Sequence, residues 1–402
     1  MSKVNFLVLF SIFLLTCYSF SSKVDIEFVE RQLKFAEKQL TLLLTESEKA
    51  KRIPRTITAE GKMHWTNEDF DWTEGFFPGS CWYLYDFSKD EAWKEAAEKF
   101  QSEFESHKNY TNNHDLGFVF NSSYGNGYRL TGNESFKQVM ITAGDSLITR
   151  FNPNVGCIQS WETDAGWQAE RGWKFPVIID NMMNLELLFE LSKITGDNKY
   201  KNVAIAHANT TMKNHFRQDF SSYHLVDYNP ETGQVRSKQT AQGYSDESSW
   251  ARGQAWGLYG YTVCYRYTKD QSYLQQAENI AKYIIENPSM PKDGIPYWDY
   301  NAENIPDEPR DVSAAAITAS ALIELDNYSK NSYSQFIDII LTALASDIYT
   351  AITGENNNFI LKHSVGSIPH NAEIDVPLIY ADYYYLEALL RKLKNFKDGD
   401  HN

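Results

Sequence analysis

A short polar turn recurs along the chain and constrains the fold more than any other feature. Each copy has Asp or Asn at its third position and an aromatic residue at its end; the clear copies are Ser88-Lys-Asp-Glu-Ala-Trp93, Thr131-Gly-Asn-Glu-Ser-Phe136, Thr195-Gly-Asp-Asn-Lys-Tyr200 and Thr268-Lys-Asp-Gln-Ser-Tyr273. Ser329-Lys-Asn-Ser-Tyr333 is a looser fifth copy. Asp and Asn are favoured helix N-caps, and apolar residues at helical spacing flank the copies, as in 182–194 and 200–216. The pattern predicts αα-hairpins that are closed tightly at one end.

The other ends of the predicted hairpins are joined by long segments rich in Trp, Gly, Pro and Asp. They cover roughly 54–73, 107–114, 152–179, 217–249, 287–310 and 354–374, and strand patterns are nearly absent apart from brief runs such as 223–226. With a first helix near 26–49, the pattern gives about six outer and six inner helices. We therefore predict an all-α, single-domain (α/α)6 toroid over residues 22–402. An open solenoid is the alternative, but solenoids keep their connections short and regular.

The N-terminus has the pattern of a secretory signal peptide. Lys3 precedes the apolar run 6–15, and the small residues Ser19, Ser21 and Ser22 follow. This order favours a signal peptide over residues 1–21, rather than a buried first helix, and predicts export across the inner membrane to the periplasm. Leu14-Leu15-Thr16-Cys17 loosely resembles a lipoprotein box, so a lipid anchor at Cys17 is the alternative. No later segment approaches the length of a transmembrane helix.

Charge and cysteine content exclude several classes of partner. The formal net charge is −15, which argues against nucleic acid and anionic membranes because both favour a basic surface. After removal of the signal, Cys81, Cys157 and Cys264 remain, a sparse and odd-numbered set that predicts buried free thiols rather than disulfides or a metal site. Histidines at metal-ligand spacing are also lacking, so we predict no metal site.

Polar and aromatic residues cluster where the inner helices are predicted to begin. These starts are Trp72-Thr-Glu74, His114-Asp115, Asp180-Asn181, the run 250–256, Arg310-Asp311 and Asp375. Helix capping explains any single Asp, but helix N-termini that ring one cavity favour a ligand bearing a carboxylate. The apolar run 175–179 before Asp180 can desolvate its carboxyl and raise its pKa, as a general acid requires. Spacing and composition thus predict a toroid that binds an acidic sugar.

The run Ser245-Asp-Glu-Ser-Ser-Trp-Ala-Arg-Gly-Gln-Ala-Trp-Gly-Leu-Tyr-Gly260 resembles the signature of unsaturated glucuronyl hydrolases, glycoside hydrolase family 88. Further blocks resemble the family in the expected order, from about residue 30 to 392: 72–79, 114–118, 179–184, 223–227 and 375–384. The resemblance implies the (α/α)6 toroid and an oligosaccharide substrate ending in a 4,5-unsaturated uronic acid. It also implies the reaction, in which water adds across the C4=C5 bond and the resulting hemiketal collapses, releasing the next sugar without a cofactor.

The same resemblance implies roles for individual residues. Asp180 would be the acid/base that protonates the alkene and activates water, and Asp115 a second carboxylate that helps to position it. The residues implied to contact the sugar or its carboxylate, or to line and stack on the ring, are His114, His224, Gln242, Arg252, Trp72 and Trp256. Arg suits a uronate because its planar fork can bind a carboxylate bidentately.

One block departs from the family pattern. Some members are expected to bind a sulfate through Ser-x-x-Ser-x-Lys in the last long loop, where this chain reads Ser364-Val-Gly-Ser367-Ile-Pro369. Ser364 and Ser367 are thus predicted to bind substrate, while Pro in place of Lys argues against sulfated disaccharides and leaves unsulfated chondroitin or hyaluronan fragments, or an algal uronate polysaccharide.

Three rival functions are compatible with parts of the sequence. An unsaturated rhamnogalacturonyl hydrolase would share the toroid and the chemistry, but Gln254 within Arg-Gly-Gln-Ala-Trp favours the glucuronyl branch. A sugar epimerase would need a catalytic histidine pair, for which His114 and His224 are the candidates. A non-catalytic glycan-binding protein would explain the tryptophans, but not the occurrence of Asp115 and Asp180 within matching motifs.

Overall fold

The computed structural model describes residues 24–399, and the predicted signal peptide 1–21 and the lipid-anchor residue Cys17 lie outside the described residues. The helices are α1 (Ile26–Ala50), α2 (Phe76–Ser88), α3 (Glu91–Ser102), α4 (Leu116–Phe120), α5 (Asn126–Thr131), α6 (Glu134–Ile148), α7 (Gly166–Glu170), α8 (Leu185–Thr195), α9 (Asn198–Asn214), α10 (Ala251–Thr268), α11 (Gln271–Glu286), α12 (Val312–Asp326), α13 (Ser334–Leu344) and α14 (Ile379–Gly399). Shorter 3-10 helices occupy Glu105–Asn109, Ile179–Asn184 and Asn356–Asn358.

The long helices form two concentric rings. The inner ring contains α2, the α4–α5 helix, α8, α10, α12 and α14, where a π-helical turn at Asn121–Gly125 joins α4 to α5. The outer ring contains α3, α6, α9, α11, α13 and α1. The N-terminal helix α1 packs against the C-terminal helix α14, and α14 packs against α2, so the ring closes on itself. The (α/α)6 toroid is therefore confirmed, and the open solenoid is wrong.

The recurring turns act as helix caps, as predicted for the four clear copies. Asp90, Asn133, Asp197 and Asp270 are the N-caps of α3, α6, α9 and α11, and each accepts a hydrogen bond from the backbone N–H two residues later. The fifth copy differs, because α13 begins after Tyr333 and not after an Asn cap. There Asp326, at the end of α12, accepts the Tyr333 N–H at 2.6 Å instead.

Burial separates the two rings. Every residue from Val312 to Leu325 in α12 is buried, and so is every residue from Ala251 to Cys264 in α10, as expected for helices surrounded by other helices. Outer helices bury one stripe, such as Phe28, Leu33, Leu40 and Leu43 of α1, against the inner ring.

Between residues 24 and 399, nine short strands lie in the loops, more than the sequence pattern indicated. They are β1 (Pro54–Ile57), β2 (Met63–Trp65), β3 (Phe151–Asn152), β4 (Cys157–Ile158), β5 (Pro176–Ile178), β6 (Leu225–Tyr228), β7 (Val235–Gln239), β8 (Ser364–Ser367) and β9 (Ala372–Val376). All pair antiparallel, as β1–β2, β3–β4, β5–β6–β7 and β8–β9. The sheets are too short for a periodic signal, and they stiffen the long connections at one end of the toroid.

Two further expectations concern residues within 24–399. Cys81, Cys157 and Cys264 are buried free thiols, as predicted. In this described part of the chain, none of the helices combines the length and the apolar character that crossing a membrane requires.

Candidate active site

A cavity of about 370 Å³ lies where the inner helices begin. All of the predicted long segments except 287–310 contribute to its wall. Of the predicted site residues, those that line it are Trp72, His114, Asp115, Asp180, Gln242, Arg252 and Ser367. The toroid thus brings together side chains that are up to 295 positions apart, from Trp72 to Ser367.

The carboxyl group of Asp180 lines this cavity and is largely buried. Strand β5 (Pro176–Ile178) is completely buried and leads directly into the 3-10 helix that carries Asp180. Burial raises the pKa of Asp180 to about 7, against the opposing charge of Arg252. Among the described residues its Oδ2 has no hydrogen-bond partner. The predicted desolvation is confirmed, and Asp180 can hold or release a proton near neutral pH.

Asp115 supplies a second buried carboxyl group. It is the N-cap residue of α4 but forms no side-chain capping bond, so its carboxyl is left to line the cavity. Burial raises the pKa of Asp115 well above its ordinary value, and the negative charge of Asp180 raises it further. Two carboxyls coupled in this way favour a state in which they share a proton.

His114 is held in one tautomer by its neighbours. The Phe118 N–H donates to Asn184 Oδ1 at 3.1 Å, so the Asn184 amide nitrogen faces and donates to His114 Nδ1 at 3.2 Å. His114 Nε2 therefore carries the proton, and it lies 3.3 Å from Asp115 Oδ1. Burial, followed by the charge of Arg150, lowers the pKa of His114 well below its ordinary value, so the ring is neutral.

His224 lies behind the cavity wall, next to Asp180. Its Nδ1 accepts the Ala241 N–H at 3.0 Å, so Nε2 carries the proton and donates to Gln242 Oε1 at 3.1 Å. The same Nε2 is 3.6 Å from Asp180 Oδ2. Burial lowers the pKa of His224 to about 3, which makes it a neutral hydrogen-bond donor. His224 therefore positions Gln242 and neighbours Asp180.

Arg252 faces the cavity, but much of its guanidinium is engaged within the protein. Nη1 donates to Asp311 Oδ2 at 3.0 Å and also to the Val365 carbonyl, and Nη2 donates to the Gly366 carbonyl at 2.6 Å. The ring of Trp250 lies 4.5 Å from the guanidinium carbon. A substrate carboxylate can therefore reach only the remaining N–H groups of Arg252. The sequence had suggested that the whole planar guanidinium would be free to bind it bidentately.

Besides His224, two other predicted binding residues do not line the cavity. Trp256 is fully buried and packs edge-on against Phe118, with ring centroids 5.2 Å apart, so it supports the wall from behind. Ser364 is fully buried at the start of β8, whereas Ser367 lines the cavity. Residues three apart in a strand point to opposite faces, which explains the split. Asp375 is also no helix start, since it lies in β9, is largely exposed and contacts His363 at 2.6 Å.

Sequence reasoning missed an ionic cluster at one side of the cavity. Arg55 donates to both carboxylate oxygens of Asp71, at 3.0 and 2.9 Å, and its Nε donates to Glu373 at 2.6 Å. Arg55 and Glu373 both line the cavity. The sequence indicates only that Arg55 and Glu373 lie in the first and last long segments. Nothing in it indicates that the two residues meet.

No group of three or more His, Cys, Asp or Glu side chains within residues 24–399 is arranged to hold a metal ion. Two carboxyl groups that line the cavity, those of Asp115 and Asp180, have raised pKa values and can serve as acid–base groups. Enzymes that hydrolyse glycosides usually use a pair of carboxyl groups in the active-site cavity as their catalytic groups. The fold and the site thus define the class as a toroidal glycoside hydrolase.

The chain belongs to Glycosyl Hydrolase Family 88, whose sequence model matches residues 46–387. It is 43% identical over 373 residues to an unsaturated glucuronyl hydrolase of Formosa agariphila, covering 92% of each chain. It is 33% identical over 404 residues to an unsaturated chondroitin disaccharide hydrolase of Streptococcus pneumoniae, covering 93% of this chain and 98% of the relative. The crystal structure of an unsaturated glucuronyl hydrolase specific for heparin superposes with a TM-score of 0.87 at 44% identity, covering 93% of this chain and 99% of that one. The predicted family is confirmed, and the rival functions are not favoured.

Proposed function

We propose that this protein hydrolyses the bond between a terminal 4,5-unsaturated uronic acid and the next sugar of oligosaccharides produced by polysaccharide lyases. The observation that carries the proposal is the largely buried carboxyl of Asp180, which lines the cavity and has a pKa raised to about 7. A group with this pKa can donate a proton and take one back at neutral pH. The activities named for the similar glucuronyl and chondroitin disaccharide hydrolases support the same reaction.

In the proposed mechanism the protonated carboxyl of Asp180 gives its proton to C4 of the unsaturated ring. The π electrons of the C4=C5 bond form the new C4–H bond, the C4–C5 single bond remains, and positive charge develops at C5 and the ring oxygen. Water then adds to C5 and returns a proton to the Asp180 carboxylate, so the enzyme is regenerated. The resulting hemiketal opens, and the next sugar leaves as an alcohol. The net change is the addition of one water molecule.

Asp115 stabilises the positive charge that develops on the sugar ring. A fixed negative charge in a site shielded from water stabilises such a charge more strongly than the same charge in water. The charge of Asp180 raises the pKa of Asp115, so two anions at once are disfavoured, and Asp115 ionises most readily when Asp180 carries the proton. His114 Nε2 lies 3.3 Å from Asp115 Oδ1 but forms no hydrogen bond with it in the described residues.

The substrate carboxylate is proposed to bind the N–H groups of Arg252 that the protein leaves free. Gln242, whose carbonyl oxygen accepts from His224, presents its amide nitrogen for the ring hydroxyls. Trp72 lines the same cavity and offers an apolar surface to the sugar.

We propose that the second sugar carries no sulfate near the last long loop. Among the described residues that line the cavity there is no Lys, and both arginines are paired with carboxylates, Arg55 with Asp71 and Glu373 and Arg252 with Asp311. A sulfate placed there would meet the Glu373 carboxylate without an unpaired cation. Unsulfated glucuronate-containing disaccharides are therefore the expected substrates.

The experiment follows the ultraviolet absorbance of the conjugated double bond in unsaturated disaccharides from chondroitin, hyaluronan, heparin, ulvan and rhamnogalacturonan. We expect loss of absorbance together with release of the second sugar, fastest with unsulfated members. Folded protein that consumes none of these disaccharides would remove the proposal. Asp180→Asn is expected to abolish turnover and Asp115→Asn to reduce it by more than about 100-fold.

A matched control is Asp382 in α14, which is also buried with a pKa raised to about 7 but does not line the cavity. Asp382 accepts the N–H groups of Ile360 and Leu361 at 2.8 and 2.9 Å. Asp382→Asn should lower stability but leave turnover per folded molecule near that of the unmodified protein. If Asp382→Asn lost as much turnover as Asp180→Asn, the loss would be a general effect of replacing a buried aspartate, and it would not support Asp180 as the acid/base.

The chain is also proposed to be exported through the signal peptide 1–21, which supports a periplasmic location. The support is the order of Lys3, the apolar run 6–15 and Ser19 to Ser22. Mass spectrometry of the mature N-terminus tests it. A start at Ser22 supports a soluble periplasmic protein, a lipidated Cys17 supports the anchored alternative, and an intact Met1 contradicts both.

A further inference from the structure

Two loops that are far apart in the sequence meet at the cavity. Trp167 lies on the short helix α7 in the segment between β4 and β5, and His370 lies in the turn between β8 and β9. Their ring centroids are 5.0 Å apart at an interplanar angle of 58°, and both residues line the cavity. The mechanism proposed above uses neither side chain.

A chain of contacts leads from the acid/base carboxyl to this pair. His224 lies 3.6 Å from Asp180, the ring of Trp161 lies 6.2 Å from that of His224, and the ring of Trp167 lies 5.2 Å from that of Trp161. Exposure increases along the chain, since His224 is buried, Trp161 is half-buried and Trp167 is 37% exposed. Trp167 and His370 therefore lie one side chain further out than the groups that surround the reacting ring.

Both rings are braced from behind. Trp167 packs edge-on against the buried Trp173, whose indole N–H donates to Gln239 Oε1 at 2.6 Å. His370 Nδ1 is hydrogen-bonded to Ser367 Oγ at 2.7 Å, which leaves its Nε2 without a hydrogen-bond partner among residues 24–399. A large aromatic ring exposed in a cavity mouth next to an unused polar atom is suited to stacking on a sugar while binding one of its hydroxyls.

We infer that Trp167 and His370 form the binding site for the second sugar, the leaving group of the reaction, with Trp167 stacking on its ring and His370 Nε2 contacting a hydroxyl or amide. The inference rests on the proposed function. The ligand is a neutral hexose or N-acetylhexosamine. Burial and the charge of Arg171 lower the pKa of His370, so the imidazole is uncharged at neutral pH and offers no cation to a sulfate.

The site arises where the chain departs from the sulfate-binding pattern. Ser367, which the sequence assigned to the substrate, instead holds His370 by the 2.7 Å hydrogen bond. The neighbouring Glu373 carboxylate pairs with Arg55, which also pairs with Asp71. This part of the cavity wall is therefore polar and offers no unpaired cation, which favours a neutral sugar over a sulfated one.

The test compares two substrates that carry the same unsaturated uronate. One is an unsulfated disaccharide, and the other is the methyl glycoside of the unsaturated uronate alone, in which a methyl group replaces the second sugar. Trp167→Ala and His370→Ala should each raise KM for the disaccharide, Trp167→Ala by about tenfold, with little change for the methyl glycoside. Trp167→Phe keeps an aromatic face and should restore most of the disaccharide KM. Trp167 and His370 are both exposed, so the circular dichroism spectra of the three variants should be unchanged.

Each other outcome overturns the inference. An equal rise in KM for both substrates would assign Trp167 to the support of the whole cavity, and an unchanged KM for the disaccharide would remove its contact with the second ring. If the unmodified protein consumes neither substrate, the proposed function fails first. If it consumes both and only the difference between substrates is missing, the second-sugar site alone is wrong.

Discussion

The guanidinium of Arg252 lies 3.0 Å from Asp311 Oδ2, and both side chains are almost completely shielded from solvent. Asp311 Oδ1 caps α12 by accepting from the N–H and hydroxyl of Ser313, so one carboxylate both starts an inner helix and neutralises the arginine. The charge of Arg252 in turn lowers the pKa of Asp180 against the effect of burial. Asp311 therefore connects the helix cap to the proton affinity of the acid/base.

Replacing Asp311 by Asn tests this connection. Asp311→Asn leaves the buried charge of Arg252 uncompensated, which is expected to cost about 3 kcal/mol of unfolding free energy. The stronger field of Arg252 should also lower the pKa of Asp180 and move the alkaline limb of the pH–rate profile to lower pH. Denaturant unfolding and kcat/KM as a function of pH measure the two effects.

Asp227 provides the matched control for that variant. Its Oδ1 accepts the N–H groups of Lys174 and Phe175 at 2.8 Å, and its Oδ2 pairs with Arg236, but it does not line the cavity. Asp227→Asn should therefore lower stability without moving the pH–rate profile. A profile for Asp311→Asn that coincides with those of the control and the unmodified protein would refute the electrostatic link.

The raised pKa of Asp180 predicts how both rate and stability depend on pH. As a general acid the group must be protonated, so kcat/KM should fall as the pH rises through about 7. In the unfolded chain the carboxyl returns to its ordinary value of 3.8, so the folded state binds the extra proton between 3.8 and about 7. Its contribution to stability is fully present below 3.8 and is lost as the pH rises through about 7.

Asp180→Asn removes this titration. The variant should be inactive, yet its melting temperature should exceed that of the unmodified protein at pH 8, with the difference shrinking towards pH 5. Differential scanning calorimetry across this range provides the comparison. A melting temperature at pH 8 below that of the unmodified protein would contradict a buried carboxyl that is costly to ionise.

Two inner helices approach closely at Gly117, so adding a single methyl group at this position is expected to disturb the structure. A Cβ on Gly117 would lie 2.3 Å from Asn184 Cα and 2.6 Å from Asn184 Oδ1. Asn184 joins Phe118 N–H to His114, so Gly117→Ala must displace the group that fixes the His114 tautomer. We expect at least a tenfold loss of kcat together with a lower melting temperature, from overpacking. Normal kcat in folded Gly117→Ala would show that His114 does not depend on Asn184.

An ionic network at the opposite end of the toroid predicts a loss of stability without a loss of substrate binding. Arg266 joins Glu186 to Glu324, and Arg391 joins Glu324 to Glu387. Arg266→Ala removes one cationic partner from each of two largely buried carboxylates, those of Glu186 and Glu324. We expect it to lower the free energy of unfolding by about 3 kcal/mol and to leave KM unchanged. Lys282→Ala, which removes an exposed pair with Glu286, should cost less than about 0.5 kcal/mol. Equal unfolding free energies for the two variants would contradict the role of burial.

The local features of this protein follow from its sequence. Asp90, Asn133, Asp197 and Asp270 start outer helices because their side chains cap backbone N–H groups within two residues, which requires no tertiary information. The hairpins that these turns close also follow from the sequence, and their number follows once the helical patterns and the long connections are counted with them. The environment of Asp180 also follows, because the apolar strand before it is adjacent in the chain.

Only the tertiary structure decided which residues share the cavity and which are engaged elsewhere. Arg55 and Glu373 lie 318 positions apart, and Arg252 meets Asp311 and the β8 carbonyls only when the ring of helices closes. The same closure buries Trp256 behind Phe118 and separates Ser364 from Ser367. Helix capping and hydrophobic periodicity act over a few residues, so they can be predicted from the sequence. Burial, ion pairing and the contact of Trp167 with His370 depend on distances between remote segments, and only the folded toroid sets those distances.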